Sequence, residues 1–203
     1  MGRRVSKDPE VRKQEIVAAA FDLFREKGYD QVSVNDIVKK VGLAQGTFYY
    51  HFKSKYELLD AVVEYEMRQT LAILESIATD EKLSPLEKMH AIINLNPSDD
   101  RRRFIRLVRS EENAVLYLKS QKKMADELVP YMVTLVEAGD KEGVFNVPYP
   151  REAIGLLLNM QLDFERILAN TPDRDNAYRL IRAMEDIYIK VLGIKPGSIR
   201  LIP

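Results

Sequence analysis

Residues 28–55 read GYDQVSVNDIVKKVGLAQGTFYYHFKSK, and this stretch decides the fold. Ser33 and Asp36 have the spacing of a capping box, which marks the start of a short helix. Gly42 ends that helix, because glycine takes a positive φ without strain. A second short helix is expected at about residues 44–51. Two short helices joined by a glycine turn predict a helix-turn-helix.

Helical spacing of apolar residues continues on both sides of this stretch, and no strand-like alternation is found. Two more capping boxes, Ser54 with Glu57 and Ser84 with Glu87, open helices farther along the chain. The expected helices cover about residues 8–27, 34–41, 44–51, 54–78, 85–95, a segment starting near 99, 111–141, 151–169 and 174–192. Pro130 must start a new helix or kink the seventh one. The fold class is therefore all-α, with about nine helices.

Composition excludes several classes of protein. The 203 residues include no cysteine, which rules out disulfides and thiolate zinc sites. No apolar run reaches the roughly 18 residues that a membrane span needs. The basic residues 1–9 are not followed by an apolar stretch, so no secretion signal is expected. We therefore expect a cytoplasmic protein without a membrane partner.

Charge is unevenly distributed, although the chain as a whole has a formal net charge of zero. Residues 1–55 contain 11 Lys and Arg against 7 Asp and Glu, and the remainder contains 20 against 24. A basic N-terminal region on an acidic body is typical of a nucleic-acid binder. The asymmetry alone does not distinguish such a protein from a chance distribution.

The third helix has two kinds of side chain. Leu43, Phe48 and Phe52 are apolar and would anchor it to its neighbours. Gln45 can pair with adenine in the major groove, and Gly46 would let the backbone approach DNA. Hydroxyl and imidazole groups that can bind phosphate are those of Thr47, Tyr50 and His51. An ordinary core and interface cluster remains the alternative interpretation of this run.

Residues 10–59 resemble the DNA-binding domain of the tetracycline-repressor (TetR) family, most specifically over the run GTFYYHFKSK. The resemblance implies a nine-helix homodimer that represses transcription from a palindromic operator until a small molecule releases it. The expected organisation is a DNA-binding domain at 1–55, an effector-binding and dimerisation domain at 56–195, and a flexible tail at 196–203. Ile199, Leu201 and Ile202 are the tail residues able to dock.

The resemblance also assigns roles to residues by position. It implies base contacts for Gln45 and Tyr49. Phosphate contacts are implied for Ser33, Thr47, Tyr50, His51 and Lys55. Ala44 stands where many members have a hydroxyl residue, so we expect a weaker helix cap. With the basic N-terminus added, the DNA-binding set is Arg3, Arg4, Ser33, Ala44, Gln45, Gly46, Thr47, Tyr49, Tyr50, His51 and Lys55.

Effector and dimer residues are expected on the later helices. Polar-tipped, aromatic or adaptable residues that suit a small-molecule pocket are Tyr117, Tyr131, Met132, Asn159, Met160, Asp163 and Phe164. The last two helices carry apolar stripes, of which one is expected inside the chain and the other in a dimer interface. The interface candidates are Ile154, Leu158, Gln161, Leu162, Leu180, Met184, Ile187 and Tyr188.

Two other functions compete with this interpretation. Glu87 and His90 have the spacing of a helical metal ligand pair, but a second such pair is absent from the sequence. Glu87 is better explained as a capping partner, and no phosphate loop or nucleophile motif appears. We therefore expect no catalysis, metal or cofactor. A DNA-organising factor without a small-molecule ligand is the other alternative, favoured if the body is closed and well packed.

Overall fold

The computed structural model describes residues 8–95 and 99–201. That part of the chain confirms the all-α prediction. Its nine α-helices are α1 (Pro9–Lys27), α2 (Val34–Val41), α3 (Gln45–His51), α4 (Lys55–Ala78), α5 (Pro85–Ile93), α6 (Asp99–Val108), α7 (Ala114–Lys141), α8 (Pro150–Ala169) and α9 (Arg174–Leu192), with a 3-10 turn at Glu111–Asn113. None of the helices described is long and apolar enough to cross a membrane.

Helix ends follow the predicted caps. At the start of α2, the Ser33 hydroxyl accepts a hydrogen bond from the Asp36 backbone N–H at 3.1 Å. The Ser33 N–H in turn donates to the Asp36 carboxylate at 2.9 Å, which completes the capping box. Gly42 has φ 67° and ψ 35°, the left-handed conformation expected at the turn before α3. The chain reversal of the helix-turn-helix is therefore encoded locally.

Pro130 lies inside α7 instead of starting a new helix. Of the two predicted alternatives, a new helix start at Pro130 is therefore excluded. Leu128 and Met132, on either side of the proline, are both buried in the same apolar core. Their burial holds the chain helical although proline removes one backbone donor.

The described chain divides into two compact units. The first unit contains residues 8–70 and 99–121. Its core joins α1, α2, α3 and the first half of α4 to residues of α6 and α7. Phe21 and Phe104 meet edge to face, with ring centroids 5.7 Å apart. This unit therefore extends well past residue 55, the predicted boundary, because α6 and the start of α7 complete its core.

The second unit contains residues 71–95 and 122–201. Apolar residues from α5, α7, α8 and α9 form a separate core, in which Met89, Val136 and Leu192 have no exposed surface. This unit contains the last part of α4 as well, through Leu74. Each unit therefore has its own apolar core.

Residues 196–201 are docked on the second unit. The prediction of a flexible tail is corrected for this segment. Ile199 is completely buried, and the Leu201 N–H donates to the Glu185 carboxylate at 3.0 Å. The Glu185 side chain is itself only 5% exposed, so its charge needs such partners. Ile202 lies outside the described residues.

Candidate nucleic-acid interface

Helix α3 is held to the first unit by aromatic side chains. Phe48 is fully buried, and Phe52, at the end of the helix, is 2% exposed. Their ring centroids lie 5.8 Å apart, and Leu43 packs against the same core. The predicted anchoring role of these residues is confirmed.

The opposite side of α3 faces solvent. Tyr50 is 75% exposed and Tyr49 is 55% exposed, which is unusual for side chains of that size. Gln45 is also exposed, whereas Thr47 and His51 are half-buried. The helix therefore presents amide and phenol groups outward from a rigid anchor.

The start of α3 lacks a side-chain cap. Ala44 occupies the N-cap position and makes no side-chain hydrogen bond there. The expectation of a weaker cap is therefore confirmed. A helix of seven residues without a cap is not stable by itself, so the buried Phe48 must hold it in place.

Gly46 is exposed within α3, and the fold does not require a glycine there. A Cβ atom built at this position would meet no atom of the protein within 4 Å. Its φ is not positive either. Glycine costs a helix interior about 0.5–1 kcal/mol relative to alanine. Nothing within the described chain compensates for that cost.

Ser33 is exposed but already engaged in the α2 cap. Its hydroxyl donates to the Asp36 carboxylate at 2.5 Å. This hydrogen bond, with the one from the Ser33 backbone, lowers the pKa of Asp36 below its usual value. A phosphate contact by Ser33 would therefore have to coexist with its capping role.

Lys55 has an intramolecular role that the sequence did not indicate. Its Nζ donates to the Tyr29 carbonyl oxygen at 2.8 Å and to the Val32 carbonyl oxygen at 3.0 Å. The same ammonium lies 4.1 Å from the centroid of the Tyr29 ring. Burial, and then the charge of Asp30, raise the pKa of Tyr29. No local sequence pattern relates residues so far apart.

Two predicted DNA contacts, Arg3 and Arg4, lie outside the described residues. One basic side chain of the first unit, Lys40, pairs with Asp22 at 3.1 Å. Lys53, beside the end of α3, is exposed. Positive charge is therefore available next to the exposed face of α3.

The predicted effector residues do not form one cluster. Met132 and Phe164 are buried in the core of the second unit, and Met160 packs against that core. Tyr117 belongs instead to the core of the first unit. Sequence spacing did not reveal this division.

Three other predicted effector residues point to solvent. Asn159 and Asp163 are exposed and bond within their own helix, to the Gly155 carbonyl and to Arg166 respectively. Tyr131 is 40% exposed, and its hydroxyl donates to Glu75 at 3.2 Å. The prediction is corrected for Asn159 and Asp163, because exposed side chains do not line an internal pocket of this chain.

The dimer-interface prediction also changes. Ile154, Met184 and Tyr188 are at most 3% exposed, so they belong to the core of the chain. The Tyr188 hydroxyl donates to the Gln161 side chain at 2.9 Å, which adds a polar tie between α8 and α9. These residues are therefore not available as an outer surface.

The remaining interface candidates are divided. Leu158 and Leu180 are partly buried and pack against the core, and the side chain of Leu162 is not described. Ile187 is 37% exposed. Among the described side chains of α8 and α9, the most exposed apolar residues, which sequence reasoning missed, are Leu156 at 73%, Tyr178 at 64% and Ile167 at 43%.

Glu87 is a capping residue, as the sequence predicts. The Glu87 carboxylate accepts hydrogen bonds from the Ser84 N–H at 2.8 Å and from the Ser84 hydroxyl at 2.6 Å. These bonds lower the pKa of Glu87 and fix it as the capping partner of α5. Within residues 8–95 and 99–201, no group of three or more His, Asp or Glu side chains is arranged to hold a metal ion.

Comparisons with known proteins agree with this geometry. The family model for bacterial regulatory proteins of the tetR family matches residues 16–62. The uncharacterized HTH-type transcriptional regulator YvdT of Bacillus subtilis is 48% identical over 58 residues, which cover 29% of this chain and 30% of that protein. Matches to three curated relatives span less than half of each relative's length. The segment that the family model matches contains the helix-turn-helix.

Solved structures are similar over nearly the whole chain. A TetR-family transcriptional regulator from Pectobacterium atrosepticum has a TM-score of 0.70 at 22% identity, covering 96% of this chain and 99% of that one. The complex of SmeT with triclosan has a TM-score of 0.63 at 22% identity and 95% coverage of both chains. SmeT is described as the repressor of a multidrug efflux pump in Stenotrophomonas maltophilia. At such identities, the similarity establishes the fold alone.

Proposed function

We propose that the chain is a member of the tetR family of bacterial regulatory proteins, whose family model matches residues 16–62, and that it is a transcriptional repressor. It binds a palindromic DNA operator as a homodimer and is released by a small molecule. The observation that carries the proposal is the outward face of α3, where Tyr49 and Tyr50 are exposed on a helix anchored by buried Phe48. Large aromatic side chains held outward on a short helix suit insertion into the major groove.

Each side chain of this face has a chemical role in the proposal. Gln45 reads a base edge through its amide, and Tyr49 contacts a neighbouring base. Ser33, Thr47, Tyr50 and His51 bind backbone phosphates and fix the register. The exposed Gly46 supports close contact between α3 and DNA, because the fold itself gives no reason for a glycine. Arg3 and Arg4 add electrostatic attraction.

The homodimer is proposed to form through α8 and α9. Leu156, Tyr178 and Ile187 expose apolar surface on these two helices, which a second copy would cover. The variant Leu156→Glu should shift the protein from dimer to monomer in sedimentation equilibrium. Val115→Glu is a matched control, because Val115 is 78% exposed on α7 in the first unit. A dimer unaffected by Leu156→Glu and disrupted by Val115→Glu would contradict this assignment.

The effector is proposed to bind within the second unit. Met132, Met160 and Phe164 lie in or against its core, and flexible or aromatic side chains suit an apolar ligand. SmeT, which has the same fold, is known in complex with triclosan. The test uses the small-molecule fraction recovered from the heat-denatured purified protein. Release of labelled DNA by that fraction supports the proposal, whereas DNA binding that no fraction alters favours a DNA-organising role.

DNA binding is tested by selection from fragmented genomic DNA at about 0.15 M salt, because affinities depend steeply on ionic strength. The purified protein, freed of small molecules by denaturation and refolding, should enrich a palindromic site. The variant Tyr50→Ala should enrich that site much less. Failure of the folded, ligand-free protein to enrich any sequence would contradict the proposed function.

A further inference from the structure

The segment that follows α9 buries one side chain in the core of the second unit without belonging to a helix. Gly193 ends α9 in the left-handed conformation, and the Ser198 N–H then donates to the Lys195 carbonyl oxygen at 3.1 Å, which forms a turn. Ile199 follows this turn and has no exposed surface. Residues 196–201, here named the strap, therefore contribute a buried residue to a core that is built mainly from helices.

Side chains of two helices hold the strap beyond Ile199. The side-chain amide of Asn94, the C-cap residue of α5, donates to the Arg200 carbonyl oxygen at 2.8 Å. The Glu185 carboxylate on α9 accepts hydrogen bonds from the Leu201 N–H at 3.0 Å and from the Arg200 guanidinium at 3.4 Å. All of these residues belong to the second unit. The strap is therefore held by a few individual contacts and not by a ladder of backbone hydrogen bonds.

Glu185 does not depend on the strap alone. Its side chain is 5% exposed, and a buried carboxylate is costly unless it is paired. Within the described chain, Arg182 of the same helix also donates to it, from a side chain that is 46% exposed. When the strap moves away, Glu185 therefore keeps one cationic partner and gains contact with water. Opening the strap consequently leaves no isolated buried charge at Glu185.

The buried residue of the strap lies in the core where the effector is proposed to bind. Ile199 belongs to the same apolar core as Met132 and Phe164. Met89 and Val136 of this core have no exposed surface, so a ligand reaches them only when a covering segment moves. Unwinding a helix breaks a series of backbone hydrogen bonds, whereas displacing the strap breaks the few contacts described above. The strap is therefore able to open while the helices stay folded.

We propose that the strap is a gate to the effector site, which opens to admit an apolar ligand and closes again once the ligand is bound. The inference rests on the proposed function, because the gate serves the same site. Ligand enters and leaves through one open state, so more frequent opening raises the association and dissociation rate constants together and leaves their ratio unchanged. A segment with a purely structural role does not have this kinetic signature.

Amide hydrogen exchange of the full chain measures opening directly. The Leu201 N–H, which is bonded to Glu185, is compared with the N–H of Tyr188 within α9, each corrected for its intrinsic exchange rate. The Leu201 N–H should exchange at least about a hundredfold faster, because the strap opens while α9 stays folded. Equal protection would mean that the strap opens only when the whole unit unfolds, and the proposal would then fail.

Ligand entry is measured by stopped-flow fluorescence with anilinonaphthalene sulfonate (ANS), a dye that binds apolar protein surface. Ile199→Ala weakens the closed strap, and Ile154→Ala is its matched control, because Ile154 is 1% exposed in the same core but lies in α8. Circular dichroism fixes a temperature at which each variant is folded. Ile199→Ala should raise both rate constants at least about tenfold, whereas Ile154→Ala should leave them close to those of the wild type.

Equal acceleration by Ile199→Ala and Ile154→Ala would overturn the gate, because any loss of core packing would then have the same effect. Unchanged rate constants in Ile199→Ala, or an absence of dye binding, would also overturn it. A second variant, Glu185→Gln, keeps the size of the side chain and removes the charge that holds Arg200, so it should raise both rate constants by a smaller factor. Wild-type rates in Glu185→Gln would contradict the proposal that Glu185 holds the strap closed.

Neither measurement uses DNA, so the gate and the proposed function fail separately. If the strap opens and admits the dye but the protein enriches no genomic sequence, the proposed function fails and the gate does not.

Discussion

Helices α3 and α9 contact their cores in opposite ways. Helix α3 has seven residues, of which Phe48 alone is buried. Helix α9 has nineteen residues and buries Met184, Glu185, Tyr188 and Leu192. Helix α3 is therefore held by one buried residue within its length and by flanking residues such as Phe52, whereas α9 is attached along its whole length. One buried residue within the helix is sufficient for α3, because its exposed face is the part that is proposed to function.

The largest effect is expected from removing Phe48, the one buried residue within α3. Phe48→Ala should destabilise the first unit by about 3–5 kcal/mol and abolish DNA binding, because no other residue of α3 is buried. Met184→Ala should cost about 2–5 kcal/mol but leave α9 attached through its other buried residues. Thermal unfolding and DNA binding are measured on both. If Phe48→Ala still binds DNA, Phe48 is not required to hold α3 in place.

The same contrast explains what the sequence could and could not predict. In the first unit, the Ser33–Asp36 capping box and Gly42 are local patterns, so the bounds of α2 followed from them directly. The apolar anchors of α3 were likewise evident, since Phe48 and Phe52 differ sharply from their polar neighbours. Local chemistry determined both results.

In the second unit, helix bounds were predictable but buried faces were not. Helix α9 has apolar residues on several sides, so periodicity alone did not separate buried Tyr188 from exposed Tyr178. The docked tail depends on buried Ile199 and on Glu185, whose hydrogen bond to Leu201 spans 16 residues. Such contacts, like that of Lys55 with Tyr29, join residues that are distant in the sequence. They therefore produce no periodic pattern from which they could be predicted.

The next largest effect concerns the exposed face of α3. Gln45→Ala should relax the base preference at one position of each half-site, at a cost of about 1–3 kcal/mol there. Stability should not change, because the side chain is exposed. Binding to a panel of operators substituted one base pair at a time measures the effect. A uniform loss across the panel would show that Gln45 does not read bases.

Gly46→Ala should have opposite effects on stability and on function. The added methyl group meets open space, so the helix should gain about 0.5–1 kcal/mol. DNA affinity should fall, because the methyl group obstructs close approach of the α3 backbone. Thermal unfolding and operator binding are measured together. If operator affinity is unchanged in Gly46→Ala, Gly46 does not lie close to DNA.

The smallest effect is expected from two of the capping boxes, Ser33 with Asp36 in the first unit and Ser84 with Glu87 in the second. Hydrogen bonds from Ser33 and Ser84 lower the pKa values of Asp36 and Glu87 below their usual 3.8 and 4.5. A lowered folded-state pKa means that the stabilisation is present above the usual value and is lost as pH falls through the lowered one. The melting temperature of the wild type should therefore decline below about pH 4.5. The decline should be smaller in the double variant Asp36→Asn, Glu87→Gln. Identical pH profiles would contradict this assignment.

The central claim is that the outward face of α3 binds DNA, and two tyrosines of nearly equal exposure test it most directly. Tyr50 is 75% exposed on α3, and Tyr149 is 73% exposed immediately before α8. The affinity of Tyr50→Ala and Tyr149→Ala is measured on the selected operator duplex, with melting temperatures as a folding check. Tyr50→Ala should bind about tenfold more weakly, because a dimer loses two hydrogen bonds of about 0.5–1.5 kcal/mol each. Tyr149→Ala should bind like the wild type, and equal affinities for the two variants would contradict the account.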